Sequence, residues 1–221
     1  MNYKTIKLIS DKYSLKEITL RSKKFYDQIK RRRSIREFST KKINDKIIEN
    51  AVLSAASAPN GANLQPWHFA IIKDKKIKKK IRKAAEKEEI EFYNNRAPKE
   101  WLEALKPLGT DYNKKFIEDA PVIIAIFEEK YSFKNKKKIK NYYVKESVGI
   151  ATGILISNLH YSGLSMLTHT PSPMNFLNKI LNRPANEKPF VLLILGFPTN
   201  DCRVPKYASQ KKKLKVITSW H

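Results

Sequence analysis

Two short, uninterrupted apolar runs constrain this chain most: residues 121–127 (PVIIAIF) and 190–197 (FVLLILGF). Each reads as a buried strand. Two further strands are expected at 68–73 and 163–169. The segments between them have helical character but do not form regular βαβ repeats. One helix begins near Ser14, with Leu15, Ile18, Phe25, Tyr26 and Ile29 on one face of a 3.6-residue period. A second is N-capped by Asn44, with Ile43 and Ile48 at staple positions, and runs to Ala58. A charged helix covers 75–96, and a shorter one carries Trp101, Leu102 and Leu105. The most apolar helix, 142–161, is closed by Gly163. Its Gly149 and Gly153 permit close backbone approach, as in a core helix or at a subunit interface. Residues 173–181 form a short helix. Residues 1–13 read as an extended arm, 130–140 as a lysine-rich mobile loop, and 205–221 as a basic tail. The β-rich stretch 216–220 in that tail should pair with a second subunit. No repeat or flexible linker divides the chain, so a single domain over 1–221 is expected.

The formal charge of +24 suggests nucleic acid. However, the lysines are dispersed over 73–83, 134–140 and 211–215. No zinc-finger spacing, RNP-type strand or helix-turn-helix pattern accompanies them. They read as solvated faces that attract anionic small molecules, not as a nucleic-acid surface. The lone Cys202 excludes an internal disulfide and fits a reducing cytosol. His68, His160, His169 and His221 show no metal spacing, so no metal is expected. Glycine-rich dinucleotide and P-loop motifs are lacking. There is no signal-peptide pattern, and the apolar run 147–159 is too short to cross a bilayer. The expectation is a soluble, cytoplasmic protein.

The first helix should run into residues 31–38 (RRRSIREF), which place four arginines and a serine together on its last turn and the loop beyond. Arginine's planar fork matches phosphate oxygens two at a time. Three readings are open from the stretch itself: a phosphate site, a solvated charge run, or a non-specific nucleic-acid patch. Downstream, Pro59-Asn60-Gly61-Ala62-Asn63 breaks the second helix with small residues that let backbone amides approach a ligand.

Taken together, Arg32-Arg33-Ser34-Ile35-Arg36, the 58–67 turn (APNGANLQPW) and Gly196-Phe197-Pro198 before a basic arm resemble the FMN-dependent nitroreductase superfamily. The resemblance covers nearly the whole chain. It implies an α+β fold with a central, mostly antiparallel sheet flanked by helices. It also implies a homodimer with exchanged terminal arms and FMN at its interface. Within the superfamily, the iodotyrosine deiodinases are most similar, through Thr168-His169-Thr170-Pro171 and Arg183-Pro184-Ala185-Asn186-Glu187-Lys188. The membrane anchor of the animal deiodinases has no counterpart here.

This resemblance assigns roles. Arg32, Arg33 and Ser34 would meet the FMN phosphate and ribityl end, with Arg36 at the pyrimidine edge. Pro59 and Asn60 would contact the flavin, Asn60 standing where a serine is common. Lys211 replaces an arginine as the C-terminal phosphate contact. Thr170 would approach flavin N5, supported by Thr168, and the Ala62 backbone N–H would meet the substrate phenolate. Glu89, Tyr93 and Lys114, on a lid spanning 86–116, would hold an amino-acid zwitterion. Glu89 and Tyr93 are also i, i+4 neighbours on one helical face. His169 occupies a threonine position of the animal enzymes and has no assigned role. The implied activity is reductive dehalogenation of halotyrosines, 3-iodo-L-tyrosine giving L-tyrosine and iodide, with an unidentified electron donor. The alternative is a generic NAD(P)H nitroreductase or quinone reductase.

Overall fold

A computed structural model describes residues 3–221. They fall into two compact units, one ending at Arg32 and one running from Arg33 to His221.

The first unit contains α1 (Leu15–Ile29). Ser14 caps it through a reciprocal box. The Glu17 N–H donates to Ser14 Oγ at 3.2 Å, and the Ser14 N–H reaches Glu17 Oε2 at 3.4 Å. The apolar stripe on α1 is exposed, and none of its residues is buried.

The second unit is built on β1 (Trp67–Ile72), β2 (Val122–Glu129), β5 (Ser165–His169) and β6 (Glu187–Gly196). Their order is β1-β2-β6-β5, and every pairing is antiparallel. On β2, Val122, Ile124 and Ile126 face one core while Ile123, Ala125 and Phe127 face another. Val191, Leu193 and Leu195 of β6 divide from Leu192 and Ile194 in the same way. Burial on both faces explains why these runs lack polar alternation. The first face is covered by α2 (Asp45–Ala56) and α6 (Val144–Tyr161). The Asn158 Nδ2–H of α6 donates to Ser54 Oγ of α2 at 3.0 Å. The opposite face carries α3 (Lys75–Glu91), α5 (Phe116–Asp119) and α7 (Phe176–Ile180).

Three expectations change. Residues 130–140 are not an irregular loop but a hairpin of β3 (Tyr131–Lys134) and β4 (Lys137–Lys140). Asn135 and Lys136 take φ of 50° and 63° at its tip, the sense of the favoured hairpin turns. The tail is not a strand, because Leu214–Ile217 forms one helical turn, α8. Finally, Lys78, within the run read as solvated, is buried. Its ammonium donates to the carbonyls of Glu118 (2.9 Å) and Ala120 (2.5 Å), satisfying acceptors at the end of α5. Burial lowers its pKa.

Candidate active site

Residues 34–39 lie along the free edge of β5 and the end of β6. Ser34 bridges Met166 in parallel, and the Ile35 N–H donates to Met166 O at 3.3 Å. The Ser39 N–H donates to Phe197 O at 2.9 Å, and the Thr199 N–H to Glu37 O at 3.2 Å. An open edge strand supplies the unpaired groups that such a segment needs. Ile35 and Phe38 drop into the core, leaving Arg33, Ser34 and Arg36 half-buried beside β5. Burial lowers the pKa of Arg36, while Tyr93 and Asp111 oppose that effect. Arg32 closes the last turn of α1, its N–H donating to Ile29 O at 3.0 Å.

The lid residues come together. The end of α3 widens into a π-turn, Phe92–Arg96, a feature often found at functional sites. Phe92 packs edge-on against Trp101 of α4 (Lys99–Leu105) at 5.1 Å. Arg96 ties back to Glu88, donating to its backbone oxygen at 2.7 Å. The turn carries the Tyr93 hydroxyl to Thr110 O, to which it donates at 3.1 Å. Burial raises the Tyr93 pKa, so the phenol stays protonated at neutral pH. Lys114 is 3% exposed. Its ammonium lies 3.2 Å from Glu89 Oε2, donates to the Asp111 carbonyl, and sits 5.7 Å from the Tyr93 ring centre.

Sequence reasoning missed the groups that hold this trio. The Lys114 backbone N–H donates to Glu86 Oε1 at 2.9 Å. Glu86 is itself held by Arg82 Nε at 2.8 Å, and Arg82 also donates to Glu118 Oε2 at 2.7 Å. The Arg82–Glu86 spacing of four was a readable signal; the contact with residue 114 was not.

Glu89, Tyr93, Lys114, Arg36, Thr168 and Thr170 line one cavity of about 760 Å³, together with Trp101, Phe116, Met174 and His169. Thr168 and Thr170 are exposed, with their hydroxyls free to meet a ligand. The His169 side chain is 10% exposed, with Nε2 buried, and its ring meets Phe116 edge-on at 5.6 Å. Among the described residues its Nε2 has no hydrogen-bond partner, and Glu89 Oε1 lies 3.9 Å away. That distance exceeds a hydrogen bond. No ion pair forms there either, because burial, aided by Lys114 and Arg36, holds the His169 pKa down to about 3. The imidazole is neutral at physiological pH.

Other predicted residues lie elsewhere in the chain. Pro59, Asn60 and Ala62 do not line this cavity. Ala62 is exposed in a left-handed turn (φ 50°) shared with Asn63 and Gln65. Asn60 organises the turn, donating to Ala58 O at 3.1 Å and accepting from the Gln65 N–H at 2.8 Å. Gly61 is small for an internal reason: a Cβ there would sit 2.9 Å from Tyr142 O. Lys211 is exposed and donates to Ala208 O of its own tail at 2.7 Å.

Residues 29–197 match the pattern of the Nitroreductase family. The chain is 48% identical over 202 residues to an iodotyrosine deiodinase of Haliscomenobacter hydrossis, covering 91% of each protein. It is 40% identical over 198 residues to iodotyrosine deiodinase 1 of Mus musculus, covering 88% of this chain and 69% of that protein. Its fold is similar to a crystal structure of oxidized iodotyrosine deiodinase bound to FMN and 3-iodo-L-tyrosine. The TM-score is 0.74 at 30% identity, covering 86% of this chain and 96% of the other. A similar fold at 18% identity occurs in an FMN-dependent nitroreductase of Clostridium difficile R20291 (TM-score 0.59, covering 80% and 89%).

Proposed function

The chain belongs to the nitroreductase family, and from that premise we propose that it is an FMN-dependent reductive dehalogenase acting on halotyrosines. The reaction replaces the aryl C–I bond of 3-iodo-L-tyrosine with C–H. Two electrons and a proton enter, and iodide leaves. Bound FMN, once reduced, supplies the electrons.

The residues present suit that cofactor. Arg33, Ser34 and Arg36 offer guanidinium and hydroxyl donors for a phosphate and a pyrimidine edge. Arg32 adds a third arginine to this set by resemblance. Thr168 and Thr170 present exposed hydroxyls on the neighbouring strand and the loop after it.

One observation carries the substrate assignment: buried Lys114 pairs with the largely buried Glu89 in the wall of the cavity, with Tyr93 beside them. Without ligand the two charges satisfy each other. A zwitterion replaces both halves at once, its ammonium going to Glu89 and its carboxylate to Lys114. The exchange conserves charge pairing, so the desolvation cost of the buried groups is already met. The protonated Tyr93 hydroxyl, which donates to Thr110 O in the ligand-free site, turns its one proton to the ligand carboxylate on binding. A nitroaromatic has no zwitterion, and the same pair would give it nothing.

The proposed protein is a homodimer that completes the site. Ala62 is exposed and is not among the residues lining the Glu89 cavity; in the proposed dimer its N–H would come to the phenolate from a second copy. A face of α6 supports this arrangement. Gly149 and Gly153 are exposed with no atom within 4 Å of a built Cβ, and Ile150 beside them is 46% exposed. By the same reading the lid 86–116 would cover the site and the tail 205–221, with Lys211, would reach the FMN phosphate. Among the described residues no helix is long and apolar enough to cross a membrane.

Purified protein should be yellow. Titrating 3-iodo-L-tyrosine and 2-iodophenol against bound-FMN fluorescence tests the substrate. Tight quenching by the amino acid and weak quenching by the phenol is expected. Equal affinities would favour the generic nitroreductase, and a colourless protein that cannot be reconstituted with FMN would exclude both enzymes.

A further inference from the structure

We infer that His169 Nε2 is a second acceptor for the ligand's α-ammonium, facing it beside the Glu89 carboxylate. The inference rests on the halotyrosine reading and adds a recognition residue to it.

His169 ends β5 with its ring braced edge-on against Phe116, so the direction of Nε2 is set by packing. The atom is buried, lacks a partner among the described residues, and belongs to a residue lining the cavity. A buried polar atom left unpaired is destabilising unless a ligand or water engages it. The gap between Nε2 and Glu89 Oε1 is 3.9 Å. It is too wide for direct bonding and too narrow for a residue of the chain. An ammonium nitrogen about 2.9 Å from each acceptor would subtend roughly 85° between them, so each N–H bends by only about 12°. A primary ammonium therefore bridges the two without strain.

The charge state agrees. Lys114 and Arg36, both in the cavity wall, disfavour a proton on His169, and burial disfavours it more. In the Nδ1–H tautomer, which the proposal requires, the neutral ring keeps its lone pair on Nε2 for the incoming cation. A protonated ring would instead repel the ammonium and pair with Glu89. His169 is thus suited to an amine ligand in a way that a cationic side chain would not be.

The experiment compares 3-iodo-L-tyrosine with its des-amino analogue, 3-(4-hydroxy-3-iodophenyl)propionate, by quenching of bound FMN. His169→Phe keeps the ring against Phe116 and removes the acceptor. It should weaken iodotyrosine binding about tenfold or more, the scale of one hydrogen bond to a charged group, and leave the analogue within about twofold. His169→Gln, whose Oε1 reaches the same place, should restore most of the loss. Wild-type-like iodotyrosine affinity in His169→Phe, an equal loss for both ligands, or no rescue by His169→Gln would overturn the inference. If wild-type protein itself does not distinguish the two ligands, the ammonium is not recognised at all. The zwitterion reading then fails along with this one. A wild-type preference that survives His169→Phe refutes the His169 role alone.

Discussion

Replacing Glu89 by Gln removes one charge from a pair whose lysine is 3% exposed, at 3.2 Å. At an effective dielectric of about 20 the Coulomb attraction at that distance is roughly 5 kcal/mol, most of it offset by desolvation of both ions. The variant loses the attraction but leaves Lys114 buried, with the Asp111 carbonyl as its remaining acceptor. Breaking a buried pair in this way costs about 3–5 kcal/mol, and the retained carbonyl places Glu89→Gln near the lower end. For a chain of this length, about 3 kcal/mol lowers Tm by roughly 6–12 °C. Calorimetry of FMN-loaded, ligand-free protein reads this directly. The double variant Glu89→Gln/Lys114→Met removes the stranded charge and should recover most of the lost stability. Iodotyrosine affinity should fall about 10–100-fold in the single variant, and the double variant should not recover it. FMN affinity should stay within about twofold in both. A Tm within 1–2 °C (about 0.5 kcal/mol) of wild type for the single variant, or a double variant no more stable than the single, would refute the paired-charge argument. Parallel loss of FMN and iodotyrosine would indicate a folding defect.

Three further predictions follow from particular contacts. His169 is held near pKa 3 by burial, Lys114 and Arg36, below its unfolded value of about 6.5. Between those values the unfolded chain binds a proton that the folded chain refuses, so stability falls as pH drops, by about 2 kcal/mol for this group at pH 5. Urea unfolding at pH 7 and pH 5 should show that increment in wild type and not in His169→Phe; equal pH dependence would count against a buried neutral imidazole. A Cβ on Gly196 would lie 2.8 Å from Pro121 Cδ and 2.9 Å from Phe38 Cδ1. Gly196→Ala should therefore lose about 1–3 kcal/mol in denaturant unfolding, and an unchanged midpoint would contradict the packing. Gly153 has open space beside it, so Gly153→Leu should fold as one chain yet sediment as a monomer that retains FMN poorly. A yellow, dimeric Gly153→Leu protein would argue against α6 as the subunit contact.

What the sequence alone determined is whatever depends on neighbours along the chain or on uniform burial. The unbroken apolar runs of β2 and β6 declared strands covered on both sides, because no polar face had to be supplied. Asn44 announced the start of α2, because a cap bonds within its own first turn: its Oδ1 accepts the Lys46 N–H at 2.9 Å. Glu89 and Tyr93 could be placed on one face, because four residues make about one helical turn. Tertiary structure decided the rest. Lys78 looked like one more solvated lysine in a basic run until carbonyls at Glu118 and Ala120 came within reach. Gly61 looked like a ligand-facing glycine, but the carbonyl it accommodates belongs to Tyr142. His169 had no readable role, since its meaning lies in Phe116, Lys114 and Glu89, three side chains from distant segments. Periodicity and capping encode short-range geometry. The protonation state of a histidine, and whether a buried nitrogen lacks a partner, depend on which remote groups the fold brings within a few ångströms.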